Sequence, residues 1–185
     1  DEIDEARKEL EEILRENREK VDEVRKRLEK LLRENEEVVK EIIRRLKELL
    51  KELERVMREE GTDERLKELV REVMDRVRKI LEEAEKHSRD SSREVDKILK
   101  EVEKHSRDLV RRVREIIRRL EAKGLPEKLV REVRKDAERA ERELRRSVED
   151  IRRVVERVKR ENERLLREVE KVVEEVKEEL RKIET

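Results

Sequence analysis

Two tetrapeptides of identical sequence, His87-Ser88-Arg89-Asp90 and His105-Ser106-Arg107-Asp108, carry the residue types of nucleophilic catalysis. A hydroxyl, an imidazole to take its proton and a carboxylate to orient the ring are all present. Their spacing argues against that chemistry. On a helix, adjacent side chains point about 100° apart, so Ser88 is not presented to His87 as an activated hydroxyl needs. Asp90 and Asp108, three positions on from the histidines, reach at most the margin of each ring. Nothing in the sequence implies oxyanion donors or a cleft, and no enzymatic activity is expected. Metal chemistry fails on distance. The histidines stand eighteen residues apart, which is about 27 Å along a helix axis, too far to share an ion. No His-Glu-x-x-His or Glu-x-x-His set accompanies either one, so neither metal nor cofactor is expected.

The elements that hold these residues are unusual in composition. Of 185 residues, 59% are charged and 32% apolar, with no cysteine and no aromatic side chain. Ordinary domains carry roughly 25% and 45–50%. The absence of cysteine excludes disulfides, thiolate nucleophiles and Cys-based zinc sites. The absence of aromatics removes stacking platforms for single-stranded nucleic acid. Apolar runs such as Leu49-Leu50 are far too short to span a membrane. The opening Asp1-Glu2-Ile3 has the look of no signal peptide, and none is expected. The 55 basic and 55 acidic groups divide as −4, +3 and +1 over three segments. No basic stripe emerges from those sums, so neither nucleic acid nor an anionic membrane is expected as a partner.

Breakers at Gly61-Thr62 and Gly124-Leu125-Pro126 define those segments. Each reads as a glycine C-cap followed by a helix start, with Thr62 or Asp63 as N-cap and Pro126 at a first helical position. Three helices over about 1–60, 63–123 and 126–184 follow, rich in Glu, Lys, Arg, Leu and Val. Pairs such as Glu16–Lys20, Glu36–Lys40, Glu54–Arg58 and Glu149–Arg153 are spaced to support the exposed faces. Loops this short force neighbouring helices to be antiparallel. The fold expected is all-α: a straight, up-down-up antiparallel three-helix bundle forming a single domain over 1–185.

Straightness is expected from the period of the apolar pattern. Ile3, Val21, Val39 and Met57 form one series at a spacing of eighteen; Leu10, Leu28 and Leu46 form another. Val77, Val95 and Val113 continue it on the second segment, and Val133, Ile151 and Val169 on the third. Eighteen residues make five turns at 3.6 per turn, so the stripe does not drift. Met57 and Met74 fall in these series and read as gap-filling core residues near the first turn. This regularity, the stripped alphabet and the two minimal glycine loops resemble de novo designed helical bundles built on parametric backbones. The resemblance covers all 185 residues and implies a very stable scaffold without natural activity.

The pattern is informative where it breaks. Series 17/35/53 reads Asn17, Asn35, Leu53, and series 69/87/105 reads Leu69, His87, His105. Ser88, Ser91, Ser92, Ser106, Ser147 and Asn162 likewise occupy positions that the repeat assigns to the core. With equal rise per residue, a turn near 61–62 places residue x of the first helix level with about 123 − x of the second. The second turn pairs levels whose numbers sum to about 249. Two layers result. One joins Asn35, His87, Ser88 and Asn162, with Ser91 and Ser92; the other joins Asn17, His105, Ser106 and Ser147. A buried polar group without a partner costs about 1–3 kcal/mol, so a wrong register that separates these residues is penalised. Specifying register and topology is their expected role.

Three alternatives differ in class. A subunit of a homo- or hetero-oligomeric bundle would need the stripe's flanks (Val38, Val56, Ala122) to be shared, whereas a single apolar stripe favours a monomer without partners. A pH-responsive bundle is also conceivable, because burial among neutral partners disfavours a charged imidazole and acid would then lower stability. A lipid-binding amphipathic bundle is opposed by the asparagines and histidines, which acyl chains cannot satisfy.

Overall fold

The computed structural model describes residues 1–59 and 63–184, the last of these by its backbone only. Three helices account for nearly all of them: α1 (Glu2–Arg58), α2 (Asp63–Ala122) and α3 (Glu127–Glu184). The chain is an all-α three-helix bundle. Gly61 and Thr62, expected as C-cap and N-cap of the first turn, lie outside the described residues, and α2 begins at Asp63. At the second turn Gly124 adopts φ 65°, the left-handed conformation that ends helices. A Cβ added there would meet nothing within 4 Å, so the glycine is required by its backbone alone. Gly124→Ala should therefore cost about 1 kcal/mol, read as a lower midpoint in chemical denaturation with an unaltered slope. The carbonyl of Pro126 accepts from the backbone N–H of Leu129 and Val130 at 3.1 and 3.2 Å. Proline thus sits immediately before the first residue of α3, one place earlier than expected.

All three helices contribute to each of two compact units. The first unit comprises Asp1–Glu29 and Val95–Arg157, and its core includes Ile13, Leu109, Val113, Val133, Ala140 and Leu144. The second comprises Lys30–Glu94 and Val158–Thr185, with Leu46, Leu53, Val73, Val77, Val169 and Val176 at its centre. These side chains are at most 2% exposed, and each fully buried Val, Leu or Ile contributes about 1.5–3 kcal/mol.

Contacts within each unit give the register. In the first, Glu9–Arg119 and Glu16–Arg112 join α1 to α2 at 2.7 Å, both with residue numbers summing to 128. Arg114–Glu141 and Arg134–Glu121 join α2 to α3 with numbers summing to 255. Arg7–Glu132 and Arg18–Glu143 join the parallel pair α1 and α3 with a constant difference of 125. The antiparallel sums exceed the expected 123 and 249, whereas the expected parallel difference of 126 nearly holds. The cause is the tilt of Cα–Cβ bonds toward each helix N-terminus. On antiparallel neighbours the tilts are opposed, so touching side chains start from Cα atoms about a turn further along both chains. On parallel neighbours the tilts cancel.

A further expectation is corrected. Met57 is 45% exposed rather than in the core, and Leu129 is likewise exposed, at 40%. By the observed register Met57 is level with the last residues of α3, and Leu129 lies beyond the end of α2, so neither has a third helix over it. Met74 does pack against the core of the second unit. Glu16 and Lys20 do not pair with each other: they reach to Arg112 and Glu101 of α2. Arg153 pairs with Asp150 instead of Glu149.

Candidate functional site

The apolar stripe carries Asn35 of α1, Ser91 of α2 and Asn162 of α3 to the axis of the second unit, where they are 1%, 4% and 4% exposed. Glutamates flank Asn35 and Asn162, and Ser91 stands between Asp90 and Ser92 within the unbroken α2, so the polar side chains are held by packing around them and not by a local break in the helix. Asn35 Nδ2 donates to Ser91 Oγ at 2.6 Å and to Asn162 Oδ1 at 2.8 Å. Asn162 Nδ2 donates to the same Ser91 Oγ at 2.8 Å. His87 Nε2 lies 2.8 Å from Asn35 Oδ1. A carbonyl oxygen can only accept, so the imidazole donates and its proton sits on Nε2. Turning the amides over would set two carbonyl oxygens against a serine that has a single proton to give, which fixes this arrangement. One bond set therefore ties three helices together. Beside it lies a cavity of about 10 Å3 touched by Asn35, His87, Ser88 and Asn162.

Its counterpart in the first unit is incomplete. Asn17, 3% exposed, donates through Nδ2 to Ser147 Oγ at 3.0 Å, and Ser147 donates back to the Glu143 carbonyl at 2.9 Å. That joins α1 to α3 but leaves out α2. His105 Nε2 is buried without a hydrogen-bond partner. The eighteen-residue repeat explains the difference. Asn17 and His105 are the repeat equivalents of Asn35 and His87, but the equivalents of Ser91 and Asn162 are Leu109 and Leu144, 1% and 0% exposed. The residues that satisfy and orient the asparagine in one layer are aliphatic in the other. Asn17 turns to Ser147, and the imidazole is left without an acceptor.

Not every residue marked by the sequence joins a layer. Ser88 and Ser92 are half-buried and make no hydrogen bond to a described residue, and the link to α2 runs through Ser91. The reason is the Cβ tilt: Ser88 is level with Asn35 along the axis, but Ser91 is one turn further along, where the side chains meet. Ser106, 8% exposed, is likewise unbonded. An electrostatic feature that the sequence reading did not single out is Glu101, which accepts from Lys20 at 2.6 Å and Arg27 at 3.0 Å. The Lys20 ammonium, then the Arg27 guanidinium, hold its carboxyl below the usual carboxylate range. The seven-residue step from Lys20 to Arg27 that brings both cations opposite Glu101 was present in the sequence.

Among the described residues, no group of three or more His, Asp or Glu side chains is placed to hold a metal ion. No helix there is long and apolar enough to cross a membrane.

No family model and no curated protein matches the chain. Among solved structures, it is similar to a computationally designed three-helix bundle, at 18% identity over 98% of this chain and 94% of that one, with a TM-score of 0.42.

Proposed function

We propose that this chain is a designed structural scaffold, a single monomeric domain with no natural biochemical activity, in which buried polar residues specify register and helix order. The observation that supports this reading is the closed bond set of Asn35, His87, Ser91 and Asn162 across three helices. In an otherwise aliphatic stripe, sliding by one repeat would cost few contacts. Separating these four residues strands several buried donors and acceptors, at about 1–3 kcal/mol each. The second layer adds the α1–α3 link between Asn17 and Ser147.

The repeat itself prescribes the test. Its series place leucine at each of the four positions (Leu53, Leu69, Leu109, Leu144), so Asn35→Leu/His87→Leu/Ser91→Leu/Asn162→Leu is the chain without its closed layer. The variant should remain helical and be at least as stable, because replacing a satisfied polar set by apolar groups is near neutral or stabilising. It should lose its unique arrangement, giving several amide resonances per residue or a mixture of masses by light scattering. The parent should run at 22.8 kDa and unfold in one transition. One sharp resonance per residue in the variant would reject the proposed role.

A further inference from the structure

We propose that the groove between α2 and α3 in the first unit is a binding site for oligophosphate anions. Balanced charge over the whole chain conceals a local excess. Arg107, Arg111, Arg114 and Arg118 of α2, together with Arg145 and Arg152 of α3, line a groove of about 650 Å3 whose carboxylates are only Glu103 and Glu149. The chain overall has 55 basic and 55 acidic residues. The four arginines of α2 follow a 4-3-4 spacing, which sets them on one helix face over about 16 Å. Like charges at that spacing repel one another and destabilise an isolated helix, so the arrangement is relieved when an anion lies along it. The sum of +3 for the α2 segment did not reveal this, because acidic residues elsewhere on the helix cancel the face.

The arginines are also available. Arg107 and Arg118 have no ion pair among the described residues. Glu141 is shared between Arg114 at 3.2 Å and Arg145 at 3.7 Å, and Arg152 meets Glu103 only at 3.7 Å. Arg111 meets Asp108 at 3.7 Å. All four of these arginine and carboxylate contacts are surface pairs that a denser anion displaces readily.

A second observation is independent of charge. Ser106 is 8% exposed, makes no hydrogen bond to any described residue, and lines this same groove. Its hydroxyl is therefore a donor left unused at the groove wall. Val110 and Val148 form the apolar part of the lining. Guanidinium forks match phosphate oxygens in bidentate geometry, and several linked phosphates suit a row of arginines better than one. No aromatic residue is present to stack a base, so the phosphates and not a nucleobase are what the groove reads.

The test is calorimetric titration of the full chain with inorganic triphosphate at about 20 mM salt, where charge attraction is little screened. Separate arms use orthophosphate and a nucleoside triphosphate. Saturable one-to-one binding of triphosphate is expected, at least about tenfold tighter than orthophosphate and undiminished in the nucleoside form. Arg111→Gln/Arg145→Gln should weaken it at least about tenfold, and Ser106→Ala about threefold. Arg33→Gln/Arg78→Gln, which removes the same charge from exposed positions of the second unit, should leave it unaltered. Absence of saturable binding, or equal weakening by the two arginine pairs, overturns the site. Unaltered affinity in Ser106→Ala overturns the part assigned to the hydroxyl.

Discussion

Asn35→Leu alone is expected to lower the unfolding free energy by about 3 kcal/mol, although leucine is the residue that the repeat prescribes at that position. The substitution removes both donors that Asn35 supplies and the carbonyl that His87 requires. Asn162 Oδ1 then faces no donor and His87 Nε2–H no acceptor, each costing about 1–3 kcal/mol, against which leucine returns a smaller apolar gain. Ser91 keeps its bond from Asn162 and contributes little to the loss. The contrast with the fourfold leucine variant is the diagnostic part. Removing one member should be costly where removing all four is nearly neutral, because the penalty arises from stranded groups and not from the bonds as such. Chemical denaturation of the two variants, compared at equal slope, measures the difference. A single substitution that left the midpoint where it was would mean that the bonds at 2.6 and 2.8 Å hold nothing in register.

The helices were legible because two independent signals coincided. The apolar series at eighteen residues and the breakers at Gly61-Thr62 and Gly124-Leu125-Pro126 both divide the chain into three. Asn35, His87 and Asn162 were legible as interruptions of that repeat. Their partner on α2 was harder to read, since rise per residue alone sets Ser88 level with Asn35. Only the opposed Cβ tilts of antiparallel helices move the contact one turn on, to Ser91. The incompleteness of the second layer was also written in the sequence, in the leucines at 109 and 144, but it becomes readable only once Ser91 and Asn162 are known to be what closes the first. The exposure of Met57 and Leu129 was not available from periodicity, which knows nothing of where neighbouring helices end. The arginine face was lost for a similar reason. Net charge sums over a whole helix, whereas an anion meets one side of it.

The two histidines should respond in opposite senses to the same substitution. His105→Leu is expected to raise stability by about 1–2 kcal/mol, because it removes a buried ring nitrogen that has no partner and puts apolar surface in its place. His87→Leu should lower stability by about 1–2 kcal/mol, since Asn35 Oδ1 loses the donor at 2.8 Å and is too deeply buried to find water. The positions are one repeat apart, on the same face of the same helix, and share the following Ser-Arg-Asp. Helix propensity and local sequence therefore cancel in the comparison, leaving the bonding of each ring as the difference. A further variant tests the reason given for the orphaned nitrogen. Leu109→Ser/Leu144→Asn places at the first unit the two residues that close the layer in the second, so it should draw Asn17 away from Ser147 and turn its carbonyl to His105. In that background His105→Leu should change from stabilising to destabilising. The sign reversal, read from paired denaturation curves, depends on the third helix supplying its amide at the height of the imidazole; if the sign holds in both backgrounds, the repeat equivalence drawn between the two layers is wrong.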